Sequence, residues 1–498
     1  MERYDLLVVG GGINGAGIAR DAAGRGLKVL LVERGDLGGA TSSASSKLIH
    51  GGLRYLEQLQ LRLVAEALGE REVLLAAAPH LVRPVHFVMP HVPELRPAWM
   101  IRAGLFAYDY LARRLALDAS SAVDLRKSKY GSALKPHLVQ GFVYSDCAVD
   151  DARLVILNAR AAKELGATIR TRTTCVAVER RLRAWQATLS VDEGEKVLVE
   201  ARALVNATGP WVAQFLSTTA GQRPGFGVRL VKGSHIVVPK LYEGSHAYIL
   251  QNDDGRVVFA CAFENSCTLL GTTDVALDRM PESCEASADE VNYLCRAANR
   301  YFARALAPTD VLWSYGGVRP LFDDGSSAPS KVSREYELII DGNGEEAPVL
   351  SLVGGKITVF RRVAEKAVTA LAPWFPKLSE PWTSSRALPG GDLGGLSPDE
   401  FSNTRLLRDF PWLPADARQG LVRRHGALAY DVIGASRTIA DLGQHFGADL
   451  YACEVDYFFA NEWARTVQDV LWRRTKVGLH LNERQRATLE RYCERYVS

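Results

Sequence analysis

Hydrophobic residues fall along this chain in several rhythms, and each predicts a different element. Unbroken apolar runs at Leu6–Val9 and Val29–Val32 read as strands buried on both faces, and the alanine-rich stretch between them has helical character. Helical spacing over 61–78 predicts an amphipathic helix, and prolines 79, 84, 90, 93 and 97 then punctuate a strand and turn region. The run DCAVDDARL opens a helix over 152–165 that Gly166 ends. Strands are expected at 168–180 and 185–193, leading to an apolar strand that enters Ala207-Thr208-Gly209. From 215 to 340 short strands alternate with turns, with one helix near 288–306. The apolar strand beginning at Val349 ends in Gly354 and Gly355 and leads into a helix over 361–371. Residues 389–395 (PGGDLGG) read as a linker, and 398–498 as helical, with Phe459, Trp463, Val467, Val470 and Arg474 in register on one long last helix.

These elements predict an α/β chain with a Rossmann-like nucleotide-binding domain, a mainly β substrate-binding domain and an α-helical C-terminal domain. The first is discontinuous, built from 1–80, 145–215 and 340–380. The second takes 81–144 and 216–339, and the third 385–498. At 498 residues two or three cores are required.

The first strand, helix and strand enclose Gly10, Gly12 and Gly15 and end on Glu33. Gly10 allows a tight turn, Gly12 lets backbone N–H groups approach a pyrophosphate, and Gly15 lets the helix pack close to the strand. Ile13 and Asn14 open the helix, whose N-terminus attracts phosphate, and Glu33 can accept from a ribose diol. Two further glycine segments, at Ala207-Thr208-Gly209 and at Gly354-Gly355, fit a long cofactor held along its length. FAD therefore fits better than a nicotinamide. Gly355, Lys356, Ile357 and Thr358 would close that site at a second helix N-terminus. The Ser-, Thr- and Gly-rich stretch Ala40–Leu56 runs into apolar residues and reads as a loop folded back over the cofactor. Its contacts are assigned to Thr41, Ser42, Ser46, Lys47, Leu48, His50, Gly51 and Gly52.

Composition narrows the class. A net charge of +3 does not suggest nucleic acid. The eight cysteines include no CxxC and no CxxxxC, so no zinc site, other metal site or dithiol flavoprotein is expected, and free thiols in a reducing cytosol are. With the first strand starting at residue 6, neither a signal nor a transit peptide is expected. No apolar stretch is long enough to span a bilayer. Trp99–Leu115 mixes aromatics with Arg102, Arg113 and Arg114, and reads either as a membrane-surface helix or as a helix packed on its own core.

Taken in order, GGGINGAGIARDAAGRG, ATSSASSKLIHGGLRYLE, FVYSDCAVDDARLV, VNATGPW, KGSHIVVP, GTTD, GVRPL and GGKIT resemble the bacterial FAD-dependent sn-glycerol-3-phosphate dehydrogenases, within the D-amino-acid-oxidase-like flavoproteins. The resemblance covers essentially the whole chain. It implies oxidation of glycerol 3-phosphate to dihydroxyacetone phosphate, by hydride transfer from C2 to flavin N5, with electrons passed to a quinone. It also implies a homodimer held peripherally on the cytoplasmic face of the inner membrane. A phosphate dianion needs fixed cations, and the motifs offer Arg54, Arg319, Arg334 and Lys356, with Tyr55 and Thr272 as neutral partners. Arg319 is expected to hold the reacting end, and the base is left open between His235 and His50. Two departures stand out: Val359-Phe360 replaces a Thr-Tyr pair after GGKIT, and Ala262-Phe263 replaces Pro-Trp before GTTD. An oxygen-using oxidase, an amine or amino-acid oxidase and a flavin-binding protein without turnover remain as alternatives.

Overall fold

The computed structural model describes the chain except residue 58, residues 113–116, residue 193, residues 324–334 and residues 497–498, together with the side chain of Arg54. Arg334 and the Arg113–Leu115 end of the expected surface helix therefore lie outside the described residues.

Two sheets form the body. In the first, β1 (Glu2–Val9) lies between β2 (Val29–Val32) and strand Glu195–Asn206, all parallel, with Val8 opposite Leu31 on one side and Val205 on the other. Thr168–Arg170 extends the parallel set beyond β2, and Val349–Gly354 extends it beyond Glu195–Asn206. Leu6, Leu7 and Val8 are fully buried because successive side chains face opposite sides and both sides are covered. One side carries α1 (Ile13–Gly24) with helices Asp151–Glu164 and Phe360–Ala370. The other carries a hairpin, Thr173–Arg180 with Trp185–Val191, whose Trp185 packs against Leu7 and Leu30.

One expected strand is in fact two. At Arg172 the backbone turns to a φ of +51°, so Thr168–Arg170 joins the parallel sheet while Thr173–Arg180 starts the hairpin. Sequence alternation ran across the turn and concealed it.

The second sheet has ten strands, antiparallel except where Ala247–Gln251 runs beside Val82–Pro90. Helix Ala288–Tyr301, opened by a Ser287–Glu290 capping box, covers its outer face over Ile236, Val238, Tyr248 and Leu270. Leu48–Ile49 belongs to this sheet, and Gln140–Val149 runs through position 145 within it, while Tyr336–Asp341 pairs in the first sheet.

The C-terminal region has its own core of Phe401, Leu421, Val455, Phe458, Val470 and Leu489. The expected long last helix is not there. Helix Ala452–Asn461 stops, Trp463 takes a φ of +57°, and a new turn begins at Val467 under a cap from Thr466. The Asp469 carboxylate accepts from the N–H groups of Arg465 and Thr466, which fixes the break. The periodic side chains thus sit on two segments.

Candidate active site

The cleft opens where the parallel strands end and the second sheet begins, at Val9, Val32, Ala207 and Gly354 facing Met89, Tyr144, Ile249 and Phe259. Its volume is about 830 Å³, in the upper range for small-molecule and cofactor sites.

The nucleotide end is made mostly of backbone. Gly10 has a φ of +111°, and a Cβ there would lie 2.4 Å from the Ala207 carbonyl oxygen. A Cβ on Gly15 would lie 1.9 Å from the Gly10 oxygen, so the helix rests directly on the turn. The N–H of Ile13, at the first turn of α1, donates to Ser42 Oγ at 2.9 Å. The Glu33 carboxylate accepts from Gly11 N at 2.6 Å and Gly35 N at 2.8 Å. Burial raises its pKa in spite of these bonds. Ala207 N donates to Val9 O at 2.9 Å, and Gly209, Gly354 and Gly355 all have positive φ. Beside Glu33, Arg34 lies 4.0 Å over the Trp211 ring.

The loop from Ala40 folds back over this end. Thr41 Oγ1 donates to Val318 O at 2.7 Å, and Gly317 is close enough to Ala44 that a Cβ would meet it at 2.9 Å. Lys47 points away from the cleft, where its buried Nζ bonds Asp151 at 2.7 Å and Ser43 O at 3.0 Å. It anchors the loop instead of touching a cofactor. Gly51 N donates to Tyr108 Oη at 2.9 Å, also behind the wall. Thr358 Oγ1 both accepts from His50 N and donates to His50 O, at 3.3 Å each.

The opposite end of the cleft is made of side chains. Arg319 donates from Nη1 to Asp274 at 2.5 Å and from Nη2 to Thr272 Oγ1 at 3.1 Å, and 24% of its side chain is exposed. Lys356 Nζ lies 3.6 Å over the Tyr55 ring. His50 meets Phe259 edge to face at 5.8 Å, and burial, then Lys356 and Arg71, push its pKa down to about 3. Tyr55, Thr272, Arg319, Lys356 and His50 thus line one region of the cleft. His235 does not line it. That ring is 1% exposed, stacks on Tyr315 at 4.9 Å and meets Ser46 Oγ at 2.9 Å.

Sequence reasoning missed Asp274, Arg34, Arg172 and Arg473, all of which line the cleft. Asp274 closes the GTTD motif and was findable there as a guanidinium partner. Arg34 follows Glu33 directly. Arg473 carried no signal, because it meets the site 437 residues away from its partner Asp36.

A glycine-turn cradle of the dinucleotide-binding type thus opens onto a pocket that holds Arg319, Asp274 and Lys356. The chain belongs to the FAD dependent oxidoreductase family, which its residues 5–361 match, and residues 382–496 match the C-terminal domain of alpha-glycerophosphate oxidase. A glycerol-3-phosphate dehydrogenase of Pseudomonas aeruginosa is 50% identical to it, over 99% of this chain and 95% of that one. A D-erythritol 1-phosphate dehydrogenase of Brucella abortus is 49% identical, over 98% and 97%. Among solved structures, the glycerol-3-phosphate dehydrogenase from Bacillus halodurans complexed with FAD has the same fold, with a TM-score of 0.75 at 24% identity over 99% of this chain and 94% of that one. FAD is the cofactor, and the residues present fit it: glycines where a Cβ would clash, a helix N-terminus at the turn, and the Glu33 carboxylate.

Proposed function

We propose that this chain oxidises sn-glycerol 3-phosphate to dihydroxyacetone phosphate and passes the electrons to a quinone at a membrane surface. The observation that carries the substrate reading is the pair of cations, Arg319 and Lys356, on the cleft wall beside Thr272, Tyr55 and His50. A phosphorylated alcohol uses both, Lys356 for its phosphate and Arg319 for the carbinol oxygen where charge develops. The relatives named above are dehydrogenases of phosphorylated polyols, which supports the same class.

The bound flavin ring supplies the hydride acceptor. Arg319 is held in one orientation by Asp274 and Thr272, so its guanidinium meets the carbinol oxygen without reorganising and stabilises the negative charge that develops as the proton leaves. Lys356 takes the phosphate. His50 is neutral, and a phosphate dianion brought beside it raises its basicity. His50, and not the enclosed His235, is therefore placed to take the hydroxyl proton. One hydride and one proton leave the carbinol, and the ketone forms.

The membrane reading rests on helix Ala98–Tyr110. It buries Ile101, Leu105 and Tyr108 but exposes Trp99 (70%), Phe106 (65%) and Tyr110 (71%), with Arg102 beside them. Among the described residues no helix is long and apolar enough to cross a membrane. An aromatic face with a cation fits the interface of a bilayer, where a quinone is reached.

The test is the visible spectrum of the yellow protein without oxygen. Glycerol 3-phosphate should bleach it, glycine and sarcosine should not, and a quinone should restore the colour faster than oxygen does. D-erythritol 1-phosphate is the second substrate to try, because a relative of nearly equal identity is named for it. A spectrum unmoved by either phosphate overturns the reading. Rapid peroxide formation with no quinone reduction overturns the acceptor alone.

A further inference from the structure

Among the described residues, the C-terminal region reaches the cofactor cleft through the Arg473 side chain. Arg473 lines it next to Asp36, three residues beyond Glu33. Its Nε donates to Asp36 and its Nη2 to Asp469. Arg474 beside it is fully buried and is taken up by Asp36 and the Glu462 carbonyl. Arg172, on the turn after Thr168–Arg170, donates to both oxygens of Asp469 at 3.1 and 3.0 Å and also lines the cleft.

Charge in this knot does not balance. Three guanidinium groups meet two carboxylates, Asp36 and Asp469, both nearly inaccessible. Arg474 is enclosed, so the surplus positive charge faces the cleft through Arg473 and Arg172, which are 18% and 31% exposed. With Nε and Nη2 on carboxylates, the donors of Arg473 Nη1 meet no acceptor among the described residues. The place is the adenosine side: Thr173 N donates to Glu33 O at 2.8 Å, and Arg172 N to Gly35 O at 3.0 Å. An adenosine diphosphate brings the anionic acceptors that this surplus lacks.

We propose that Arg473 is a ligand of the adenosine diphosphate half of FAD, supplied by the C-terminal domain, so that cofactor binding and docking of that domain stabilise each other. The same arginine grips Asp36, and Asp36 sits in the loop that carries Glu33, whose Gly38 N bonds Gly11 O at 2.9 Å. Undocking the C-terminal region would loosen the ribose-binding carboxylate, and filling the cleft would hold Arg473 in place. Linkage makes the two effects reciprocal. The proposal rests on FAD as the cofactor and is independent of substrate and acceptor.

The experiment starts from full-length protein stripped of flavin. FAD affinity is read by the quenching of flavin fluorescence. Arg473→Ala should weaken it roughly ten- to hundredfold, the range of a charged hydrogen bond, and Arg473→Lys should recover part of the loss. Hydrogen exchange over 452–476 in the unmutated apoprotein is the second measurement and holds if the variants fail to fold. ADP alone should slow that exchange and FMN alone should not. FAD affinity unchanged in Arg473→Ala, or exchange over 452–476 indifferent to ADP, overturns the proposal. Neither readout uses glycerol 3-phosphate, so failure here is distinct from failure of the substrate assignment.

Discussion

The two ends of the cleft are built from different material. At the nucleotide end, backbone N–H groups, missing side chains and one carboxylate come from the contiguous residues 9 to 35 and from two short glycine turns. At the reacting end, side chains converge from Tyr55, Thr272, Arg319 and Lys356, on four separate segments. A site made of backbone fails when volume is added, whereas a site made of side chains fails when charge or a hydrogen bond is removed. The difference sets what each substitution should do.

The largest effect belongs to Gly15→Val. A Cβ alone would meet the Gly10 oxygen at 1.9 Å, and the two methyl groups of valine have nowhere to go. Either the turn or the helix must shift, and the phosphate-facing N–H groups shift with it. The protein should purify without its flavin colour and melt early. A yellow protein with ordinary FAD affinity would break the idea that this turn is close-packed.

Next is Arg319→Ala. Here FAD should stay bound while kcat/KM for glycerol 3-phosphate falls by about a thousandfold, the scale of losing a preorganised charge at the reacting oxygen. Asp274 is then left without its guanidinium partner, which adds a smaller loss of stability. A fall of less than about tenfold with FAD retained would remove Arg319 from the reacting end. Lys356→Met should cost less, about tenfold to a hundredfold and mainly in KM, because the apolar stem still covers Tyr55 while the phosphate loses one cation. A drop in kcat at constant KM would instead place Lys356 on the chemistry.

The same contrast decides what the sequence could reveal. Gly10, Gly12, Gly15 and Glu33 were legible because backbone geometry forces residue types at fixed spacing along one stretch. The helices at 61–78, 152–165 and 361–371 were legible for a similar reason, since apolar spacing records one buried face. The reacting end was not readable from spacing at all. Arg319 and Lys356 were reached only through the motifs of the resemblance, and Asp274 was passed over inside one of them. His235 and Lys47 show the opposite error. Both stand in motifs beside the site, yet strand pairing and a loop turn aim them into the protein interior. Register along a strand decides which face a residue takes, and a motif does not state the register. Contacts such as Arg473 with Asp36 depend on how the C-terminal region docks, which no local pattern records.

A pH effect follows from the buried imidazoles. Burial first, then neighbouring cations, lower His50 and His80 to about 3. Both are therefore neutral in the folded protein, while the unfolded chain takes up protons below about 6.5. A lowered pKa means that the unfolded state binds more protons between those limits, so stability rises with pH across them. Their contribution is complete above about pH 6.5 and is lost progressively as pH falls toward 3. The denaturant midpoint should drop from pH 6.5 to pH 4, with a shallower slope in His50→Asn. Buried Asp21 and Asp146, raised to about 6, act in the opposite sense over the same range, so the comparison between variants decides: a slope unchanged in His50→Asn would mean that this ring is charged or exposed in the folded protein.

The smallest catalytic effect is expected from His235→Asn, and it separates the two histidines. His235 sits behind Ser46, with Nε2 bonded to that hydroxyl and its ring against Tyr315. Asparagine keeps a polar group on the strand but loses the ring, which should lower stability by about 1–3 kcal/mol through the lost packing and hydrogen bond. Turnover should change only as far as Ser46 shifts, and the shape of the pH–rate profile should stay. Any fall in kcat/KM below about pH 6 has another source, since a phosphate monoester takes up its own second proton there. That fall should be present in the parent, in His235→Asn and in His50→Asn alike. The difference between the variants should appear instead in the rate of flavin bleaching, which drops in His50→Asn because the group facing the hydroxyl is gone. A bleaching rate that drops in His235→Asn and is preserved in His50→Asn would reverse the assignment. It would require the wall at Ser46 to open during turnover.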